Sequence, residues 1–86
     1  MSDFIEVISI AGKNYYFSFS KISTPGGSKF FVSTIENNDV VSFEIKGDEY
    51  DNWKIIEPAP KWIMKIEKTL LEIIHLHLKS SNPDIT

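Results

Sequence analysis

Apolar and polar residues alternate through the first two thirds of the chain, then change to helical spacing for the last third. Phe4 to Ile10 is β-branched and roughly alternating, which predicts a strand. Ala11-Gly12-Lys13-Asn14 predicts a tight turn, because Gly12 and Asn14 tolerate positive φ. Tyr15 to Ile22 carries the cleanest alternation. Tyr15, Phe17 and Phe19 share one side, the core side, and Tyr16, Ser18 and Ser20 the other. Lys29 to Glu36 predicts a third strand, in which Phe31, Ser33 and Ile35 oppose Phe30, Val32 and Thr34. Both of its sides are apolar, so the pattern leaves its inward side open. In the fourth strand, Val40 to Lys46, Val41, Phe43 and Ile45 face the core against Ser42, Glu44 and Lys46. Trp53 to Glu57 predicts a short fifth strand.

The connections reinforce this order. Ser23 to Ser28 (Ser-Thr-Pro-Gly-Gly-Ser) reads as a flexible hairpin loop, Asn37-Asn38-Asp39 as a turn, and Gly47 to Asn52 as an acidic turn. Short loops between consecutive strands predict a sequential antiparallel meander with one wet face. Pro58 and Pro60 end the fifth strand, since neither donates to a ladder. From Trp62 to Leu78 the spacing becomes helical for about five turns. Lys61, Lys65, Lys68, Glu72, His75 and Lys79 form one stripe, and Ile63, Ile66, Leu70, Ile73, Ile74 and His77 the opposite face, flanked by Trp62. The predicted class is α+β, order βββββα, with one long C-terminal helix packed on one sheet face. Residues 1–79 form a single domain, and 80–86 a polar flexible tail.

A second helical row, Met64, Leu71 and Leu78, sits on a flank that one sheet need not cover. A helix apolar around most of its circumference is usually buried on more than one side. The far side therefore needs either a loop or a second copy of the chain, and a second copy would make a homodimer seam of Met64, Leu71 and Leu78 with Trp62 beside them. The leading functional expectation is therefore a non-catalytic domain that works through protein contacts, self-association first.

Composition narrows the chemistry. Eighty-six residues, 42% apolar and 13% aromatic, suffice for one small core. The absence of cysteine removes disulfides, thiolate nucleophiles and thiolate metal sites. No secretory leader is visible at Met1-Ser2-Asp3-Phe4 and no apolar run approaches a membrane span, so cytoplasm is the expected compartment. The net charge is −3, and all nine basic residues are lysine. Without arginine, forked recognition of phosphate or guanine has no side chain to make it.

Candidate sites are sparse. Glu72-Ile-Ile-His75 has the Glu-x-x-His spacing of di-metal helical bundles, but only once and beside lysines, so both residues read as solvated. His75 and His77 diverge by roughly 200° on a helix. His77 reads as a hydrogen-bonded residue at the core edge. Asp48, Glu49, Asp51 and Asn52 lack the spacing of a calcium loop. Pro25-Gly26-Gly27 lacks the helix start that would make it an anion cradle. Nothing resembles a nucleophile elbow, so no enzyme, cofactor or metal is expected.

The element order, a meander followed by a helix, resembles the single-strand-binding transcriptional coactivators and the Pur-alpha and Whirly proteins. That resemblance implies an alternative function, binding of single-stranded nucleic acid on the sheet. Such a surface needs lysines interleaved with exposed aromatics, and Tyr16, Lys21, Lys29, Phe30 and Lys46 are the pieces available. Glu6, Glu36, Glu44 and the negative total oppose it.

Overall fold

The computed structural model describes residues 3–48, 50, 52–56 and 58–80, with no side-chain description at 79 and 80. Its elements are β1 (Phe4–Ile10), β2 (Lys13–Thr24), β3 (Gly27–Glu36), β4 (Asp39–Gly47), β5 (Trp53–Ile56), α1 (Lys61–Lys65) and α2 (Glu67–Ser80). The five strands form one antiparallel sheet in the order β1-β2-β3-β4-β5. The class is α+β with the order βββββα. The last six positions of the expected tail, 81–86, lie outside the described residues, and Ser80 closes α2.

The hairpins are tighter than their composition suggests. Ala11 and Gly12 both take positive φ, as do Asn37 and Asn38, the backbone that a two-residue turn needs to match strand twist. Between β2 and β3, pairing continues to Thr24↔Gly27, so only Pro25 and Gly26 are unpaired. The Thr24 hydroxyl donates to the Gly27 carbonyl at 2.9 Å and draws this expected loose loop into the ladder.

β2 is long because it serves two neighbours. Its residues Lys13 to Phe19 pair with β1, and Ser18 to Thr24 pair with β3. Where the β2–β3 ladder stops, the buried Thr34 hydroxyl donates to the Tyr16 carbonyl at 2.8 Å. A carbonyl that would otherwise lack a partner is thereby satisfied.

One face of the sheet supplies Tyr15, Phe17, Phe19, Phe30, Val32, Phe43, Ile45 and Ile55 to the core. The inward side of β3 is therefore Phe30, Val32 and Thr34. Ile63, Leu70 and Ile74 close over them, all fully buried. Burying each such side chain contributes about 2 kcal/mol.

The helix is not one rod. Pro60 starts α1, its carbonyl accepting from the Ile63 and Met64 amides at 3.0 and 3.1 Å. At Ile66 the backbone leaves helical values (φ −106°, ψ 18°), its N–H bonding Ile63 O at 3.1 Å. Leu70 N–H then returns to Ile66 O at 3.0 Å and α2 proceeds. On the near side of this break, Trp62 packs 5.0 Å from Tyr15 and 6.5 Å from Phe17. On the far side, Glu67 meets β5 and His77 meets β1.

The two-piece cover reaches the flank expected to need a loop or a second copy, without closing over it. Met64, Leu71 and Leu78 are partly buried and pack against the core, as do Trp62, Ile66 and Ile73. Helical spacing alone treats the segment as straight. The break lets side chains from more than one row reach a twisted sheet.

Gly47 shows how closely the sheet edge is packed. A Cβ there would fall 2.6 Å from the indole of Trp53, its cross-strand partner. It is predicted that Gly47→Ala displaces Trp53 and lowers stability by about 1–3 kcal/mol in urea unfolding. An unchanged midpoint would show that the indole is not held there. Leu71→Glu is predicted to destabilise the single chain by a similar amount, about 1–3 kcal/mol, because it places a charge against the core. Wild-type stability with altered sedimentation would instead favour the helical seam.

Candidate functional site

The face of the sheet away from the helices stays open, and the strand register orders it into rows. Ile5, Ser18, Ser33 and Ser42 run across it as directly paired positions. The next row is Ser20, Phe31, Glu44 and Ile56. Beyond it stand Ile22, Lys29, Lys46 and Lys54. Towards the opposite end, Val7 pairs with Tyr16, and Ile35 with Val40. Of the ten exposed large apolar residues among those described, eight lie on this face, so exposed apolar area concentrates there.

The lysine row is unusual. Lys29 opposes Lys46, and Lys46 opposes Lys54, so three like charges occupy adjacent strands. Like charges directly opposed weaken a sheet, and the fold gains nothing from them. Glu44 relieves one: its Oε2 accepts from Lys29 Nζ at 3.4 Å. Lys46 and Lys54 are exposed. In paired positions on this face stand three lysines and one glutamate, so an acidic protein carries a locally basic strip. Phe31, 42% exposed, lies in the adjoining row, and Tyr16 is 67% exposed further along.

The structure divides the residues expected of a nucleic-acid surface. Tyr16, Lys29 and Lys46 share the open face. Phe30 does not: it is 1% exposed, in edge contact with Phe19 (6.2 Å) and tilted against Trp53 (5.5 Å). Lys21 pairs with Phe30 and projects to the same helix side. Phe31 and Lys54 take their places. Phe31 was hidden by the two-sided apolar pattern of β3. Lys54 could be located only once β5 was paired against β4.

Other candidates resolve into structural roles. Glu72 and His75 are exposed, and among the described residues no group of three or more metal-binding side chains comes together. His77 stacks on Phe4 with ring centroids 3.6 Å apart, and its Nε2 lies 2.6 Å from Glu6 Oε2. This is the core-edge role expected of it. Glu67 caps the outer side of β5, its Oε2 accepting the Ile55 amide at 3.0 Å. Glu67 and Leu71 of α2 line one side of the shallow groove against β5.

In the acidic turn, Glu49 and Asp51 lie outside the described residues. Asp48 acts as a turn former. Its Oδ1 accepts the amides of Tyr50 and Asn52 at 2.8 and 3.0 Å, and its Oδ2 the Asn52 side-chain amide at 3.2 Å. The amide of Asn52 first, then that of Tyr50, holds the Asp48 carboxyl below its ordinary value. A lowered folded-state value means the turn is supported above the ordinary carboxylate range and loses that support as pH falls through the depressed value. The Asn52 amide proton shift should therefore titrate below the usual carboxylate range and stop titrating in Asp48→Asn. A midpoint at the ordinary value would contradict the arrangement.

No family model matches the chain, and neither does any curated protein or solved structure. The likeness to single-strand-binding sheet-and-helix proteins therefore rests on element order alone.

Proposed function

We propose that this is a non-catalytic binding domain whose open sheet face takes single-stranded nucleic acid. The observation that supports this reading is the cross-strand row Lys29, Lys46 and Lys54 beside exposed Phe31. A polyanion relieves repulsion that the isolated sheet must bear, so binding and like-charge relief act together. Phe31 and Tyr16 offer ring faces on which bases stack, an interaction indifferent to sequence. The serines at 18, 20, 33 and 42 between them supply hydroxyl donors and acceptors. Lacking arginine, the surface has point charges rather than forks, which favours backbone contact over base readout.

The helical row that first suggested self-association supports that function poorly, because Met64, Leu71 and Leu78 are engaged with their own core. The strip on the sheet also answers the objection from net charge. Over such short distances local charges dominate, since screening in physiological salt acts beyond about 8 Å.

A labelled oligothymidylate titrated by fluorescence anisotropy tests the reading. Affinity should fall with salt at a log–log slope of roughly −2, as three phosphate contacts predict for a single strand. Lys46→Gln should reduce that slope by about 0.7. Phe31→Ala should weaken binding about tenfold or more at any salt. No binding at low salt, or equal binding by wild type and both variants, would end the proposal.

A further inference from the structure

The two edges of the sheet are finished differently. At β5, only four residues long, the Ile55 amide is taken by Glu67. Lys54 is exposed there, and Pro58 and Pro60 follow closely. Short length, a covering group, lysine and proline are the means by which natural sheets blunt an edge. Among the described residues β1 shows none of these four; an inward-turned charge, another such means, is present as Glu6 and is engaged by His77. The seven residues of β1, Phe-Ile-Glu-Val-Ile-Ser-Ile, contain no proline, glycine or lysine. Their pairing with β2 is unbroken from Phe4↔Phe19 to Ile10↔Lys13, without a bulge. Among the described residues no hydrogen bond from outside the sheet reaches the β1 backbone. Ile5 and Val7 are 66% and 50% exposed. The only charged side chain on the strand, Glu6, is turned towards α2 and engaged by His77.

We infer that β1 pairs antiparallel with β1 of a second copy, about a two-fold axis at Val7, to make one continuous sheet. The strand is self-complementary in this register. Val7 meets its own equivalent, Ile5 lies opposite the partner's Ser9, Phe4 opposite the partner's Ile10, and Glu6 opposite the partner's Ile8. All seven residues are then paired, with no like charges opposed. Moving the axis to position 6 would set Glu6 against the partner's Glu6, which is unfavourable. Moving it to position 8 would leave Phe4 without a cross-strand neighbour. A second copy laid on the open face instead would bury Lys46 and Lys54 with too few carboxylates to meet them, which is costly. The edge, unlike the face, suits a copy of the same chain. A two-fold, isologous contact also closes after two chains and leaves each dimer ending in two blunted β5 edges.

The absence of native cysteine allows a direct test. Wild-type protein should sediment as a monomer–dimer equilibrium in the micromolar range. Val7→Lys, at an exposed position, should keep its circular dichroism and weaken association about tenfold or more, as lysine does on an edge. Val7→Cys should form a covalent dimer rapidly on oxidation or with a short bismaleimide, whereas Val40→Cys, also exposed but on β4, should not. A wild-type chain that stays monomeric at high micromolar concentration would overturn the inference. So would a dimer undiminished by Val7→Lys, or equal cross-linking at both cysteines. Oligonucleotide binding is read separately through Lys46 and Phe31, so either proposal can fail without the other.

Discussion

Everything in this molecule depends on a broken helix covering one side of a five-stranded sheet. Ile63, Leu70 and Ile74 are fully buried over Phe17, Phe19, Phe30, Ile45 and Ile55. A domain of this size has few other residues from which to build a core, and losing any of these would leave a cavity that the twisted sheet cannot close. The described helical segments lie on one face of the sheet, and what occupies the other face is the functional question.

The break at Ile66 lets so short a segment do this work. α1 brings Trp62 onto Tyr15 and Phe17, while α2 runs from Glu67 at β5 to His77 at β1. The same path treats the two edges unequally. At β5 the helix offers a carboxylate to a backbone amide; at β1 it offers an imidazole to a side-chain carboxylate and a ring to Phe4. One edge has a backbone amide met by a helix side chain, and the other, among the described residues, has helix contacts on its inner face.

Charge is distributed with similar asymmetry. The total of −3 describes the molecule from a distance, but Lys29, Lys46 and Lys54 are brought side by side from positions far apart in the chain. At the lengths over which a ligand makes contact, the strip matters more than the sum. Phe31 stands in the adjoining row, Tyr16 lies further along the same face, and small serines occupy the rows between them.

Much of the architecture was legible in the chain itself. Alternation in Tyr15–Ile22 and Val40–Lys46, turn residues at Gly12 and Asn37-Asn38, and helical spacing after Pro60 all act locally. A residue's preference for strand, turn or helix is set by neighbours within a few positions. The inward side of β3 was not legible, because Phe30 and Phe31 are equally apolar and only the register with β2 and β4 decides between them. Nor was the engagement of Met64, Leu71 and Leu78, since spacing cannot reveal a helix that changes direction. The lysine row and the place of β1 at a sheet edge are likewise tertiary facts. Each depends on which residues lie across from one another, and pairing between distant segments is the one property that a local pattern does not encode.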